Sequence, residues 1–282
     1  MRLLELTRSC NNACLFCSQA DERARPYCAR DASIEALLQG VQGEDLAIVG
    51  GEPTLEARLV GLAARARGCG ARGVWVQTNG RRLAYKAYAR ELHGAGVMAL
   101  EVSIQGSCAA MHDYHTRVDG SFAQTLRGIA HAAEAGMRVG VSTVVTRSNL
   151  RHLDALVRVV HAAGAIGLRL RRVRAVGGAL ERRQRLVPAP AIAAGYLSEA
   201  RAAGDRLRLA VYFERVDDPT QPFVDWVGGP QEQRAGAAHV SQGPVAVRAR
   251  TALGESRGHD RLSGEALRDI LPGLFESSAH RR

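Results

Sequence analysis

Lysine is almost missing from this chain. Lys86 stands alone, and nearly all the positive charge behind a net +10 over 282 residues is arginine. A basic balance ordinarily points to an acidic partner such as nucleic acid or a phosphorylated ligand. Here it accompanies a chain rich in Ala, Gly and Val and reads as a compositional bias, so nucleic acid is not expected as a partner. No run of about 18 or more apolar residues occurs, which excludes a membrane-spanning helix and a membrane partner. The opening stretch Met1–Thr7 is short and amphipathic, unlike a signal peptide, and the expected compartment is the cytoplasm. Cysteine is absent after Cys108, and no second C-x2-C and no H-x3-H pair occurs. In a reducing compartment, the cysteines that are present are metal ligands or catalytic thiols before they are disulfides.

What is there is the composition of a globular protein, 46% hydrophobic and 23% charged. Short β-branched or apolar runs alternate with helical patterns as far as residue 213. The strands are expected at Arg2–Thr7, Asp45–Val49, Gly73–Thr78, Met98–Ile104, Arg138–Val145, Ile166–Val173 and Leu207–Phe213. Helical periodicity falls on Ser33–Leu38, Leu55–Arg67, Ala84–His93, Phe122–Ala135, Leu150–Ala162 and Ala189–Ala203. Units of about 30 residues imply right-handed βαβ crossovers and a parallel sheet. Six units fall short of an eight-stranded closed barrel, so a partial (β/α)6 TIM-like barrel over residues 1–213 is expected. From Glu214 the pattern decays into turn compositions, with one short helix suggested at Gly264–Phe275. Residues 214–282 read as a loop-rich C-terminal extension.

Three of the six cysteines, Cys10, Cys14 and Cys17, crowd into "CNNACLFC" directly after the first strand. Loops at that end of parallel strands converge over the mouth of the sheet, where such folds place their sites. A structural zinc site wants four ligands, and the fourth is hard to supply. Three thiolates suit a 4Fe–4S cluster with one iron left open. Small buried residues or half of a zinc knuckle are the plainer alternatives. In "IVGGEPTLE" a strand runs into Gly50 and Gly51, which let a ligand approach the backbone closely, and Glu52 offers a carboxylate to a bound ammonium. A tight structural turn would read the same. "VWVQTNGRRL" ends a strand in Gln77, Thr78 and Asn79; "ALEVSIQGS" presents Ser103 and Gln105; "VGVSTVVTRSN" carries Ser142 and Thr143. Polar residues at the ends of successive parallel strands are what a ligand site at a barrel mouth requires.

This combination resembles the radical S-adenosylmethionine (radical SAM) superfamily over roughly residues 1–210. The resemblance implies that Cys10, Cys14 and Cys17 hold a 4Fe–4S cluster whose open iron takes the amino and carboxylate groups of S-adenosyl-L-methionine. It implies that Gly50, Gly51 and Glu52 receive the methionyl amino group, that Gln77 and Ser103 contact the cofactor, and that the backbone at Phe16 approaches its adenine. Asn79 and Thr143 join this set as polar residues at the mouth. "MHDYHTRVDGSFAQTLRGI" is similar to the fourth loop and helix of the subgroup of molybdenum-cofactor, sulfatase-maturating and peptide-modifying enzymes, which makes Arg117 the candidate for the cofactor carboxylate. The implied partner is a low-potential electron donor, flavodoxin or ferredoxin. The implied reaction is reductive cleavage to a 5′-deoxyadenosyl radical that abstracts hydrogen from a peptide or small metabolite. Relatives in that subgroup carry auxiliary-cluster cysteines after the barrel; this chain has none, and Leu271 stands before the Pro-Gly where a Cys often does.

Cys28, Cys69 and Cys108 are scattered, with Cys108 the one candidate for a catalytic, substrate-facing thiol. His112 and His115 are expected on a loop after the fourth strand, as substrate contacts or as solvated side chains. Arg169 or Arg171 is available to an anionic group. Two further readings stand beside the leading one. One is a radical SAM methyltransferase acting on RNA or a small molecule, and the other a basic nucleic-acid-binding protein with a structural metal.

Overall fold

The computed structural model describes residues 1–21, 27–174 and 176–213. Seven strands form one parallel sheet in sequence order: β1 (Arg2–Thr7), β2 (Asp45–Gly50), β3 (Gly73–Thr78), β4 (Val97–Ser103), β5 (Arg138–Val145), β6 (Gly167–Arg172) and β7 (Ala210–Phe213). The crossovers carry α1 (Asp31–Gln39), α2 (Leu59–Gly68), α3 (Lys86–Gly94), α4 (Ala109–Thr116), α5 (Ser121–Glu134), α6 (Leu153–Ala162), α7 (Arg183–Leu186) and α8 (Pro190–Leu207). This is the expected partial barrel. The extension 214–282, with the helix read at Gly264–Phe275 and with Leu271, lies outside the described residues. No helix among the described residues is long and apolar enough to cross a membrane.

Strand alternation splits the sheet into two faces. Leu46, Ile48, Val74, Val76, Leu100, Val102, Val139 and Val141 face the helices and build the main core, while Ala47, Trp75 and Ala99 form a separate cluster on the opposite, inner face. α5 shows why the helices dock. Phe122, Leu126 and Ile129 recur at helical spacing and are buried, and each such side chain contributes about 1.5–3 kcal/mol by leaving water. Leu126→Ala would cost about 2–5 kcal/mol as a cavity opens under the helix.

The inner face is polar toward the strand ends. The strand register puts Gln77 beside Glu101, and Ser103 beside Ser142 and then Arg169 and Tyr212. Arg169 lies 3.8 Å from the Glu101 carboxylate, which is 2% exposed.

Three expectations are corrected. The helix read from Leu55 begins at Leu59, because Pro53–Leu55 winds as a single 3-10 turn capped by Glu52. β7 starts at Ala210 rather than Leu207, since α8 runs on to Leu207 and closes at Arg208, in the left-handed conformation at φ 56°. The stretch after β4 is not a loop but α4, and its buried side chains are His112, His115 and Thr116.

Candidate cofactor site at the barrel mouth

The cysteine loop leaves β1 and is pinned where it starts and ends. Arg8 N–H donates to Tyr27 O at 3.1 Å, Ala29 N–H donates to Leu6 O at 2.8 Å, and Thr7 bridges Cys28. Two glycine pairs then receive it. Gly51 N–H donates to Thr7 O and Glu52 N–H to Ser9 O, both at 2.7 Å. A Cβ on Gly50, at φ 133°, would sit 2.2 Å from Thr7 O, and one on Gly51 2.4 Å from Ser9 O. The close approach these glycines permit is therefore that of the chain's own cysteine loop. A second pair does the same from the far side of the barrel, after β6. Gly178 N–H donates to Cys17 O at 3.0 Å, and a Cβ on Gly177 would lie 2.5 Å from that oxygen. The "GG" of "AVGGAL" was the overlooked signal for this contact.

Glu52 is fully buried. Its Oε1 accepts the Thr54 N–H at 3.1 Å, the Thr54 hydroxyl at 2.5 Å and the Thr78 hydroxyl at 2.6 Å, while Oε2 accepts the Asn79 N–H at 2.6 Å. Burial pushes its carboxyl pKa up against those donors. The expectation of a carboxylate free to meet an ammonium is corrected: this one ties the end of β2 to the end of β3. Asn79 carries the tie onward, donating to Asn11 Oδ1 at 2.6 Å and, at 4.0 Å, to the Cys10 sulfur. Asn12 N–H donates to the same sulfur at 3.5 Å.

Arg81, missed in the sequence, is the clamp of the loop. It donates to Asn11 O, to Asn12 Oδ1 at 2.9 Å and to Gln124 Oε1 on α5 at 2.7 Å. α4 supplies the opposite clamp, with Ala13 N–H donating to Thr116 O at 2.9 Å and Leu15 N–H to His115 O at 3.0 Å.

The expected site residues divide. Cys10, Cys14, Cys17, Phe16, Gly50, Gly51, Glu52 and Asn79 are brought together by these bonds. Gln77 and Ser103 are half-buried on the inner face one and two strands on, and Ser103 Oγ lies 3.5 Å from Ser142 Oγ. Thr143 is a correction. It shares the helix-facing side with Val141 and Val145, and its hydroxyl donates to Ile104 O at 2.6 Å, so Ser142 is the residue that β5 turns inward. Gln105 is also a brace, its Oε1 accepting the Val144 N–H at 3.0 Å. Arg117 ends α4 in the left-handed conformation, exposed, in the wall of an outer cavity that Leu15 also lines. Cys108 is exposed at the N-cap of α4.

The two histidines are not solvated. His112 accepts the Gln105 N–H at Nδ1 (3.0 Å), and burial lowers its pKa to about 4. His115 lies within 2.7 Å of Met111 O and 2.9 Å of the Thr146 and Ser148 hydroxyls, its pKa also lowered by burial, and its ring packs 5.6 Å from that of Phe16.

All six cysteines keep their thiols. Among the described residues no three His, Cys, Asp or Glu side chains converge on one ion position. An iron–sulfur cubane takes one thiolate per iron, so three thiols on one loop are suited to three of its four irons. N–H donors aimed at the Cys10 sulfur stabilise a thiolate and tune a cluster bound to it.

A parallel partial barrel with a three-thiol loop over the C-terminal ends of its strands defines a cofactor-dependent barrel protein of the cluster-binding kind. The family model described as the Radical SAM superfamily matches residues 4–160, and the chain belongs to that family, whose members use a 4Fe–4S cluster and S-adenosylmethionine. An AdoMet-dependent heme synthase of Nitratidesulfovibrio vulgaris is 32% identical over 167 residues, 57% of this chain and 45% of that protein. The mycofactocin maturase MftC of Mycobacterium ulcerans is 29% identical over 207 residues, 72% of this chain and 55% of that one. The chain thus spans about half the length of these relatives. In fold it is similar to SuiB of Streptococcus suis bound to S-adenosylmethionine, with a TM-score of 0.61 at 16% identity over 76% of this chain and 49% of that one. It is also similar to anSMEcpe with bound AdoMet, with a TM-score of 0.60 at 18% identity over 75% and 63%.

Proposed function

We propose that the chain holds a 4Fe–4S cluster on Cys10, Cys14 and Cys17 and binds S-adenosylmethionine at the barrel mouth. The observation that carries this is the arrangement of the cysteine loop, held by Gly50–Gly51, Arg81 and Gly177–Gly178 at the ends of the strands, with the Cys10 sulfur beside Asn79. When bound, the pair supplies a 5′-deoxyadenosyl radical able to abstract an unactivated hydrogen. The chain's own residues supply position. Gly50–Glu52 and Asn79 fix the loop against the strand ends, and backbone groups there are offered to the methionyl amino group. Ser103, Ser142 and Gln77 present hydrogen-bonding groups on the inner wall. Ala47, Trp75 and Ala99 fill the inner face and help to exclude water.

A peptide is the substrate class we favour over a small metabolite. Two of the similar proteins point that way: the maturase MftC by its name, and SuiB through the structure of its complex with the precursor peptide SuiA. The heme synthases keep a small-molecule substrate as the second reading. Residues 1–213 are proposed as the barrel unit and the cytoplasm as its location; residues 214–282 contain no cysteine that could hold an auxiliary cluster.

Anaerobic reconstitution with iron and sulfide, followed by electron paramagnetic resonance of the reduced protein, tests the site. The spectrum should change when S-adenosylmethionine is added. An unchanged spectrum, or no iron–sulfur signal at all, contradicts the proposal.

A further inference from the structure

A cavity of about 700 Å3 lies between α4 and α7 against the cysteine loop, and none of its lining residues belongs to the inner face of the sheet, which makes it an outer cavity. Its lining includes Leu15, which stands between Cys14 and Cys17, together with Arg117, Arg182 and Arg185. All three arginines are exposed, and Arg147, which donates to Gln184 O at 2.8 Å, extends the rim. Of the two acidic residues in the wall, Asp113 is already engaged by the start of α5, accepting the Gly120 and Phe122 N–H groups at 2.8 Å and the Ser121 hydroxyl at 2.7 Å. Tyr114, 56% exposed, stands in the same wall. Exposed tyrosine beside arginine is the composition of a protein-binding surface.

The position of this surface suggests its use. A cluster on the three cysteines, as proposed above, needs one electron from outside for each cleavage, and the barrel side of the loop faces cofactor and substrate. Electron tunnelling weakens steeply with distance, so a donor must approach from the outer side, where Leu15, set in the chain between two cluster ligands, lines the cavity.

We propose that the α4–α7 face is the docking surface for an acidic one-electron carrier protein, recognised by Arg182, Arg185 and Tyr114. One electron leaves the carrier's reduced flavin and enters the oxidised cluster, so the carrier is oxidised and the cluster reduced by one electron each. The arginine rim steers the encounter, which makes it salt-dependent.

The test uses fluorescently labelled flavodoxin and the full chain. In its oxidised form flavodoxin should bind the isolated protein, and Arg182→Glu/Arg185→Glu should weaken that binding at least tenfold at low salt, with the difference shrinking as salt rises. Arg201→Glu/Arg206→Glu, an equal charge change on exposed positions of α8, should leave it unaltered. In the reconstituted protein, reduction by flavodoxin hydroquinone should slow by a similar factor while reduction by dithionite does not change. Arg185→Glu alone, which keeps the Arg182 bond to Gly178 O, serves if the double variant fails to hold its cluster. Equal flavodoxin affinities overturn the proposal, as does the same loss in the α8 variant. So does a loss of decaglutamate binding with flavodoxin binding intact, which would make the face a peptide site. A chain that takes up no cluster refutes the parent reading, whereas a loaded chain indifferent to these charges refutes only the docking surface.

Discussion

The buried carboxylate of Glu52 accepts the backbone N–H of Asn79 at 2.6 Å, and Asn79 in turn reaches Asn11 in the cysteine loop. One carboxyl group thus holds two strand ends and, through its neighbour, the loop. Glu52→Gln keeps the shape but turns an NH2 toward groups that are themselves donors. It should cost about 1–3 kcal/mol, the scale of leaving a buried hydrogen-bonding group unpaired. The midpoint of chemical denaturation, measured without cluster, reads it; a shift below about 0.5 kcal/mol would show that the tie is idle.

Gly51→Ala should act on the loop more than on the fold. The added carbon has backbone oxygens of Arg8 and Ser9 within 2.5 Å, so the loop must shift, at a cost of about 1–3 kcal/mol for overpacking. Circular dichroism should stay native while iron retained after reconstitution falls severalfold. Full retention would mean that the loop accommodates the change.

Arg81→Ala removes the bonds to Asn11 and Asn12, and the cluster should be lost to a chelator several times faster than from wild type. Hydrogen bonds to a charged group are worth about 1.5–3 kcal/mol, enough for such an effect. Arg81→Lys should recover only part, because one ammonium cannot span both the loop and Gln124 as the guanidinium fork does. Identical loss rates in all three proteins would remove Arg81 from the account.

Stability should depend on pH through His112. Its folded pKa of about 4 lies below the ordinary imidazole value of 6.5 because burial disfavours the charged ring. Between those values the unfolded chain binds more protons than the folded one, so stability falls as pH drops from 6.5 toward 4, by about 3 kcal/mol in all. Denaturation of the cluster-free protein at pH 7, 5.5 and 4.5 measures this. His112→Asn, whose amide oxygen can still accept from Gln105, should flatten the profile; an unchanged profile would assign the effect elsewhere.

The strands were legible because their period and their turn residues agree. The cysteine loop was legible because three thiols at that spacing have few plainer uses. What escaped notice had physical reasons. α4 reads as loop because its buried face is made of His112, His115 and Thr116 rather than apolar residues. Ser142 and Thr143 are neighbours on β5 and cannot both face inward; composition does not say which one does, and the strand register does. Arg81 is one arginine in a chain full of them, and no spacing in the sequence marks it as the partner of Asn11 and Asn12. Gly177 and Gly178 gave no hint of their partner, because Cys17 is so far away in sequence.

The central claim is that Cys10, Cys14 and Cys17 hold the cluster that cleaves S-adenosylmethionine. The most direct measurement is 5′-deoxyadenosine released after anaerobic reconstitution, with dithionite and S-adenosylmethionine present, alongside iron per chain. The account predicts product from wild type at about four irons per chain, and neither product nor cluster absorbance from Cys17→Ala. Product from Cys17→Ala at the wild-type rate, or none from a fully loaded wild type, would contradict it.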